Sequence, residues 1–295
     1  MNAFVKNQLK TVNAMLDRWM AKRDKKFVFP NNIELITDIP YMDDGKPCHQ
    51  MDIYIPREAD KPMPVIVNVH GGGMLLCTKE VNRPFCAELA KRGFLVFSLE
   101  YPLVPQADIP TIIADISRGM DKVDSLIAQY GGDRNRVYQI GDSAGGFLTV
   151  YAAAAQNNPE LSSAIPLTPS SLPLRALGLI SGMFYTTNSD SVGMFLRKDF
   201  YGKHWRKHPM QKFYQADCAG VAGHVPPCIL VTSGTDNLHS YSRKFAKGLK
   251  KNGTPYELLD FPLWKNLQHD FVIVMPEKAE SQQAIDRMVT FLLKY

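Results

Sequence analysis

The chain has 295 residues, 45% of them hydrophobic and 21% charged, with a net charge of +5. This composition excludes a disordered or fibrous chain, and a core of this size needs neither a metal nor a disulfide to hold it. The opening stretch has no apolar h-region, no segment approaches the roughly 18 apolar residues of a membrane span, and no recognisable nucleic-acid module accompanies the mild positive charge. Residues 3–26 read as a helix, with Leu9, Val12, Leu16 and Trp19 recurring at near-helical spacing between Lys and Arg. Residues 33–39 and 48–55 alternate with period two around an Asp43-Asp44-Gly45 turn, so they predict an antiparallel entry to a sheet. Residues 65–69 are almost continuously apolar, as a strand buried on both faces would be. Further strands are expected at 94–99, 137–140, 177–181, 228–233 and 256–261. Helices fall at 80–92, 108–130, directly after Ser143, at 239–252 and at 277–294. Lys244, Lys247, Lys250 and Lys251 read as the solvated face of one of these helices. Alternating strands and helices imply an α/β fold, a mostly parallel sheet with helices on both faces joined by right-handed crossovers.

The interval 182–226 breaks that alternation. It is too long for a simple crossover and rich in aromatics, among them Phe184, Tyr185, Phe195, Phe200, Tyr201, Trp205 and Tyr214. It reads as an insertion above the carboxyl ends of the strands, where ligands bind in such sheets. With residues 1–26 it is expected to form a cap, leaving 27–181 and 227–295 as the main α/β domain. Its basic residues Arg197, Lys198, Lys203, Arg206, Lys207 and Lys212 suit a solvated lid surface better than a site for an acidic leaving group. The five cysteines, Cys48, Cys77, Cys86, Cys218 and Cys228, are odd in number and lack C-x-x-C spacing. They predict free thiols in a reducing, cytoplasmic setting.

Three features carry chemistry. Gly141-Asp142-Ser143-Ala144-Gly145 lies between a β-prone run and a good helix former, the context of a G-x-S-x-G nucleophile elbow. His70-Gly71-Gly72-Gly73 ends a buried strand, where bare backbone N–H groups can hold a tetrahedral oxyanion at about 3–4 kcal/mol for each donor. A serine needs a base, and the base a third group to orient it. Asp236 follows the strand 228–233 and His269 follows the strand 256–261, in the order Ser, acid, His. Of the seven histidines, His70 is expected to brace the glycine loop, and His239 lies too close to Asp236 in sequence to share it with Ser143. Asp142 is expected to order the elbow, and Asp270 to point elsewhere along its loop.

These motifs together resemble the hormone-sensitive-lipase-like esterases of the α/β-hydrolase fold, which carry HGGG (here 70–73) and G-D-S-A-G-G (here 141–146). The likeness extends to 101–110, similar to the family's Y-R-L-A-P-E-x-x-F-P segment, to G-x-D-x-L at 234–238 and to H-x-F at 269–271. Pro102, Gln106 and Met74 depart from the family pattern, which touches support of the sheet edge and the acyl pocket. The resemblance implies an esterase in which Ser143, Asp236 and His269 act on a small or medium acyl ester. Gly71, Gly72 and Ala144 would form the oxyanion hole, and Met74, Phe147, Phe184 and Tyr185 would line the substrate site. No cofactor or metal is expected. The expected partner is a small-molecule ester, with no nucleic acid and no membrane span, and a homodimer is the candidate assembly. An amidase or peptidase on the same fold, and a non-catalytic ligand-binding member, are the alternatives; loss of a triad residue would mark the last.

Overall fold

The apolar runs of the middle of the chain become strands buried on both sides of a single eight-stranded sheet. The computed structural model describes residues 3–295; Met1 and Asn2 of the expected cap, and the side chains of Phe4 and Phe195, lie outside that description. α1 (Ala3–Asp24) precedes the antiparallel strands β1 (Ile33–Pro40) and β2 (Gln50–Pro56). Then come β3 (Met63–Val69), α2 (Arg83–Lys91), β4 (Leu95–Leu99), α3 (Ile109–Ile127), β5 (Gly132–Asp142) and α4 (Ala144–Asn157). A single turn, α5 (Pro159–Ser163), leads to β6 (Ala176–Ile180). α6 (Ser191–Tyr201) and α7 (Ala219–Ala222) occupy the long interval before β7 (Cys228–Ser233). α8 (His239–Lys251), β8 (Tyr256–Phe261), the short α9 (Phe271–Val274) and α10 (Ala279–Leu292) complete the chain.

The predicted elements form with shifted ends. β5 begins at Gly132, well before the apolar 137–140 run, because Gly132 already pairs with Met63 of β3. α5 was not anticipated, although Asn158-Pro159 is a helix start: the Asn158 side chain accepts from the N–H groups of Glu160 and Leu161, and Pro159 sits where no N–H is needed.

Strand order is β1-β2-β4-β3-β5-β6-β7-β8, with β3 to β8 parallel. The connections run one way from β3 to β4 and the other way from β5 onward, so the crevice between the ends of β3 and β5 is where the topology switches. Val69 of β3 is in register with Gly141 of β5, and this brings the glycine loop and the elbow out of the sheet side by side. The close fit of α4 on that edge depends on Gly145, where a Cβ would overlap the Val69 carbonyl oxygen.

The core divides into two clusters, one on each face. Met20, Phe27 and Phe29, at and beyond the end of α1, pack on the cluster that holds Leu267 and Phe271. Arg23 fixes that end of the helix by donating to the Val81 and Glu80 carbonyls at 2.6 and 2.9 Å. The interval 182–226 is anchored from below: the Tyr151 hydroxyl of α4 donates to the Phe213 carbonyl at 2.5 Å. Phe200, Tyr201, Met210, Phe213 and Tyr214 are buried in the same cluster as Phe147 and Tyr151. Most aromatics of the insertion therefore join the main core beneath it. Arg197 and Arg206 lie over the Trp205 ring, 4.7 and 4.5 Å from its centroid, and Lys212 pairs with Glu160.

Candidate active site

Three strand ends bring Ser143, Asp236 and His269 together. Ser143 stands between β5 and α4 with φ 48° and ψ −114°, a backbone strain found at functional turns rather than in relaxed loops. Its N–H donates to the Ile180 carbonyl and its carbonyl accepts from Met183, both at 2.8 Å, so the end of β6 holds the turn from the side. His269 Nε2 lies 3.0 Å from Ser143 Oγ, and its Nδ1 lies 2.7 Å from Asp236 Oδ1. A carboxylate can only accept here, so Nδ1 carries the proton and Nε2 is left to accept from the serine hydroxyl when the ring is neutral. Asp236 is fixed in turn by the Leu238 N–H at 2.8 Å. Burial opposes its ionisation, yet His269 and that N–H keep its carboxyl below the usual range.

The glycine loop is braced from beneath. His70 is fully buried, with Nδ1 donating to the Gly71 carbonyl at 2.8 Å and Nε2 donating to Glu100 at 2.9 Å. Both ring nitrogens face acceptors, an arrangement that favours a protonated ring beside Glu100. Burial works against that charge, but Glu100 and the Gly71 carbonyl raise its pKa overall. The Tyr101 ring stacks on His70 at 4.2 Å, and its hydroxyl donates to the His70 carbonyl at 2.7 Å. Tyr101→Phe should cost about 1–2 kcal/mol, measured by urea unfolding, because it strands a buried acceptor. Asp142 accepts from Asn82 at 2.6 Å, and Asn82 continues to Asn68 at 3.3 Å and from there to Ser98 at 3.1 Å. Asp142 thus ties the elbow to α2 and β3.

Of the expected oxyanion donors, Gly71 presses on the elbow: a Cβ there would overlap Asp142 Oδ2 and lie 3.1 Å from Ser143 Cβ. Ala144 supplies the first N–H of α4, which has no intrahelical acceptor. Gly72 adopts φ 104° and folds against Leu76 and Cys77, one step further from Ser143 along the loop. The expected substrate-lining residues are placed differently. Met74, Phe147, Phe184 and Tyr185 are all fully buried, with Phe147 stacked on Tyr151 and Phe184 on Phe245. Tyr185 packs edge-on to Tyr241 beneath the Lys244 ammonium. They are core side chains in this conformation and offer a ligand no surface. A motif position gives no sign of which way its side chain turns relative to the cleft.

Asp270 also departs from expectation. It is expected to point away, but its left-handed backbone (φ 55°) turns the carboxylate back, with Oδ2 3.1 Å from His269 Nε2. Ser181, itself at φ 49°, holds the turn by accepting from the Asp270 N–H at 3.2 Å. Burial would lower the proton affinity of His269, but Asp270 and then Asp236 override it and lift its pKa to about 10. Burial raises the carboxyls of both Asp142 and Asp270; Asp270 adds to the rise at Asp142, whereas the His269 ring pulls Asp270 back toward its ionised form. Asn68, Asn82, Glu100 and Ser181 went unnoticed in the sequence; Asn68, a lone amide in an apolar strand, carried a readable signal. The other histidines serve elsewhere: His239 binds Asp260 at 2.9 Å and His49 binds Asp44 at 2.7 Å.

Residues 51–174 match the BD-FAE family model. The probable isoprenylcysteine alpha-carbonyl methylesterase ICME of Oryza sativa subsp. japonica is 29% identical over 226 residues, covering 72% of this chain but only 54% of the rice protein. Carboxylesterase NlhH of Mycobacterium tuberculosis is 26% identical over 257 residues, which are 83% of this chain and 76% of that protein. Esterase B of Lactobacillus rhamnosis, solved with a C4-C4 SN3 tributyrin phosphonate, superposes with a TM-score of 0.91 at 21% identity, over 99% of this chain and 96% of that one. Sheet topology and superposition together give the chain the α/β-hydrolase fold, and in sequence it is similar to these esterases.

Proposed function

We propose that this chain hydrolyses carboxylic esters of small to medium acyl length through an acyl-enzyme on Ser143. The observation that carries the reading is the unbroken relay from Ser143 Oγ to His269 Nε2 at 3.0 Å and from His269 Nδ1 to Asp236 at 2.7 Å. His269 takes the hydroxyl proton as Oγ attacks the ester carbonyl, and Asp236 stabilises the imidazolium that forms. The N–H groups of Gly71, Gly72 and Ala144 receive the oxyanion. His269 then gives its proton to the leaving alcohol and activates the water that frees the acid.

The curated relatives are named for a methylesterase and a carboxylesterase, and the solved esterase holds a butyryl-type phosphonate. Those names favour an ester with a compact reacting end. The described part of 1–26, together with 182–226, acts as the cap over the strand ends. No described helix is long and apolar enough to cross a membrane. The five cysteines are all free, which favours a reducing, cytoplasmic setting. Incubation with an alkyl fluorophosphonate should add one phosphonyl group, located on Ser143 by peptide mass spectrometry. An unlabelled native protein would overturn the hydrolase reading.

A further inference from the structure

We propose that Asp270 is a positioning residue that sets the proton affinity of His269, and through it the pH range in which Ser143 can be activated. The inference rests on the assignment of His269 as the base for Ser143.

Its ground is that one nitrogen faces two oxygens. His269 Nε2 lies 3.0 Å from Ser143 Oγ and 3.1 Å from Asp270 Oδ2. As a neutral ring with its proton on Nδ1, Nε2 can accept from the serine, but its lone pair then also faces the carboxylate. As an imidazolium, Nε2 carries a proton that Asp270 attracts more strongly than a neutral hydroxyl does. An ionised Asp270 therefore favours the form of His269 that cannot act as a base. Once attack begins it has the opposite value, because the imidazolium formed in that step has a second counter-charge waiting.

The position of this carboxylate is built rather than incidental. Its backbone is left-handed, its N–H is held by Ser181, and its side chain is largely buried. Oδ1 is buried with no hydrogen-bond partner among the described residues. A carboxylate with one oxygen unsolvated finds its charge balance in the nearest cation, and here that is His269.

The other groups that set the field come from every side. Asp236 contacts the ring at Nδ1 from the β7 loop. Asp142 acts from the elbow, together with the His70 ring beneath the glycine loop. The Cys77 thiol, pushed up to about 12 by burial and then by Asp142 and Asp270, also feels Glu100 and Asp17 of α1. Asp236 is bound to the imidazole in both of its protonation states as its orienting partner. Asp270 alone among these contacts the nitrogen that must lose its proton.

The sign follows. A counter-charge within contact distance raises the pKa of a base by about one to three units, so the basic form of His269 is reached only at higher pH. Removing that charge should extend reactivity toward acid. The test is the second-order rate of Ser143 phosphonylation between pH 5 and 10, for wild type and Asp270→Asn; this readout needs no knowledge of the natural ester. Asn keeps the side-chain shape and tolerates the left-handed backbone. The acid limb of the variant should fall by one to two pH units, which makes it about tenfold or more faster than wild type at pH 6. Its alkaline plateau should drop several-fold. If Asp270→Asn fails to fold, Asp270→Gly removes the same charge and suits the same φ. NMR titration of His269 in ¹⁵N-histidine-labelled wild type is the independent check, and should place it well above the ordinary histidine value. Superimposable acid limbs in two folded proteins, or an ordinary His269 titration in wild type, overturn the proposal. Absence of labelling at every pH instead overturns the hydrolase reading itself.

Discussion

Ser143→Ala should lower kcat for a test ester such as p-nitrophenyl butyrate by about 10⁴–10⁶-fold, with KM and the unfolding midpoint close to wild type. The size of the effect follows from chemistry that only one atom can do. Oγ is the group 3.0 Å from His269 Nε2, and alanine offers nothing to accept an acyl group. Stability should be kept, because the serine hydroxyl caps no helix and the strained backbone is held by main-chain bonds to Ile180 and Met183, which alanine also makes. His269→Ala should fall on the same step. The double variant should lose little more than either single one, as expected for residues that act as a unit. Release of p-nitrophenolate checks the rates, and retention of more than about 1% of kcat by Ser143→Ala would place the nucleophile elsewhere.

Gly145→Ala is expected to have the largest effect on stability, a loss of about 3 kcal/mol or more. A methyl group there would overlap the carbonyl oxygens of Val69 and His70, which are main-chain atoms unable to swing aside. Relief would require α4 to lift from the ends of β3 and β5, taking Ser143 with it. Gly146→Ala is the matched control: its Cβ would approach the Gly141 carbonyl oxygen and Gly182 Cα no closer than 3.3 Å, so it should cost far less. Urea unfolding of the two variants measures the difference. Equal stabilities would show that α4 is not seated by close approach at position 145.

What could be read in the sequence, and what could not, follows one physical line. Small residues between an apolar run and a helix former have few conformations open to them, so the elbow around Ser143 and the glycine loop after Val69 were legible from local pattern alone. Asp236 and His269 were legible because a parallel sheet fixes where loops emerge, and both lie just beyond strands. Side-chain direction was not. Met74 and Phe147 sit at motif positions that suggest a pocket, yet they face the core, because direction is set by φ at position 74 and by the face of α4. Asp270 was misread for the same reason. Neighbours in an extended loop point apart, whereas the left-handed turn at 270 brings two adjacent side chains to one proton. Asn82 has no local signature at all, since its role depends on Asp142, 60 residues away.

The lateral hydrogen bonds of Ser143 have a consequence for how the protein loses activity. Asp142 still pairs with Ile180, and the main-chain bonds of Ser143 continue that ladder past the strand's nominal end. The reactive turn is thus part of the β5–β6 cooperative unit and opens when that unit opens. In hydrogen–deuterium exchange, peptides spanning 140–147 should be protected as strongly as the central strands. Thermal inactivation should then track global unfolding and show no early phase, for the nucleophile has no private route to disorder.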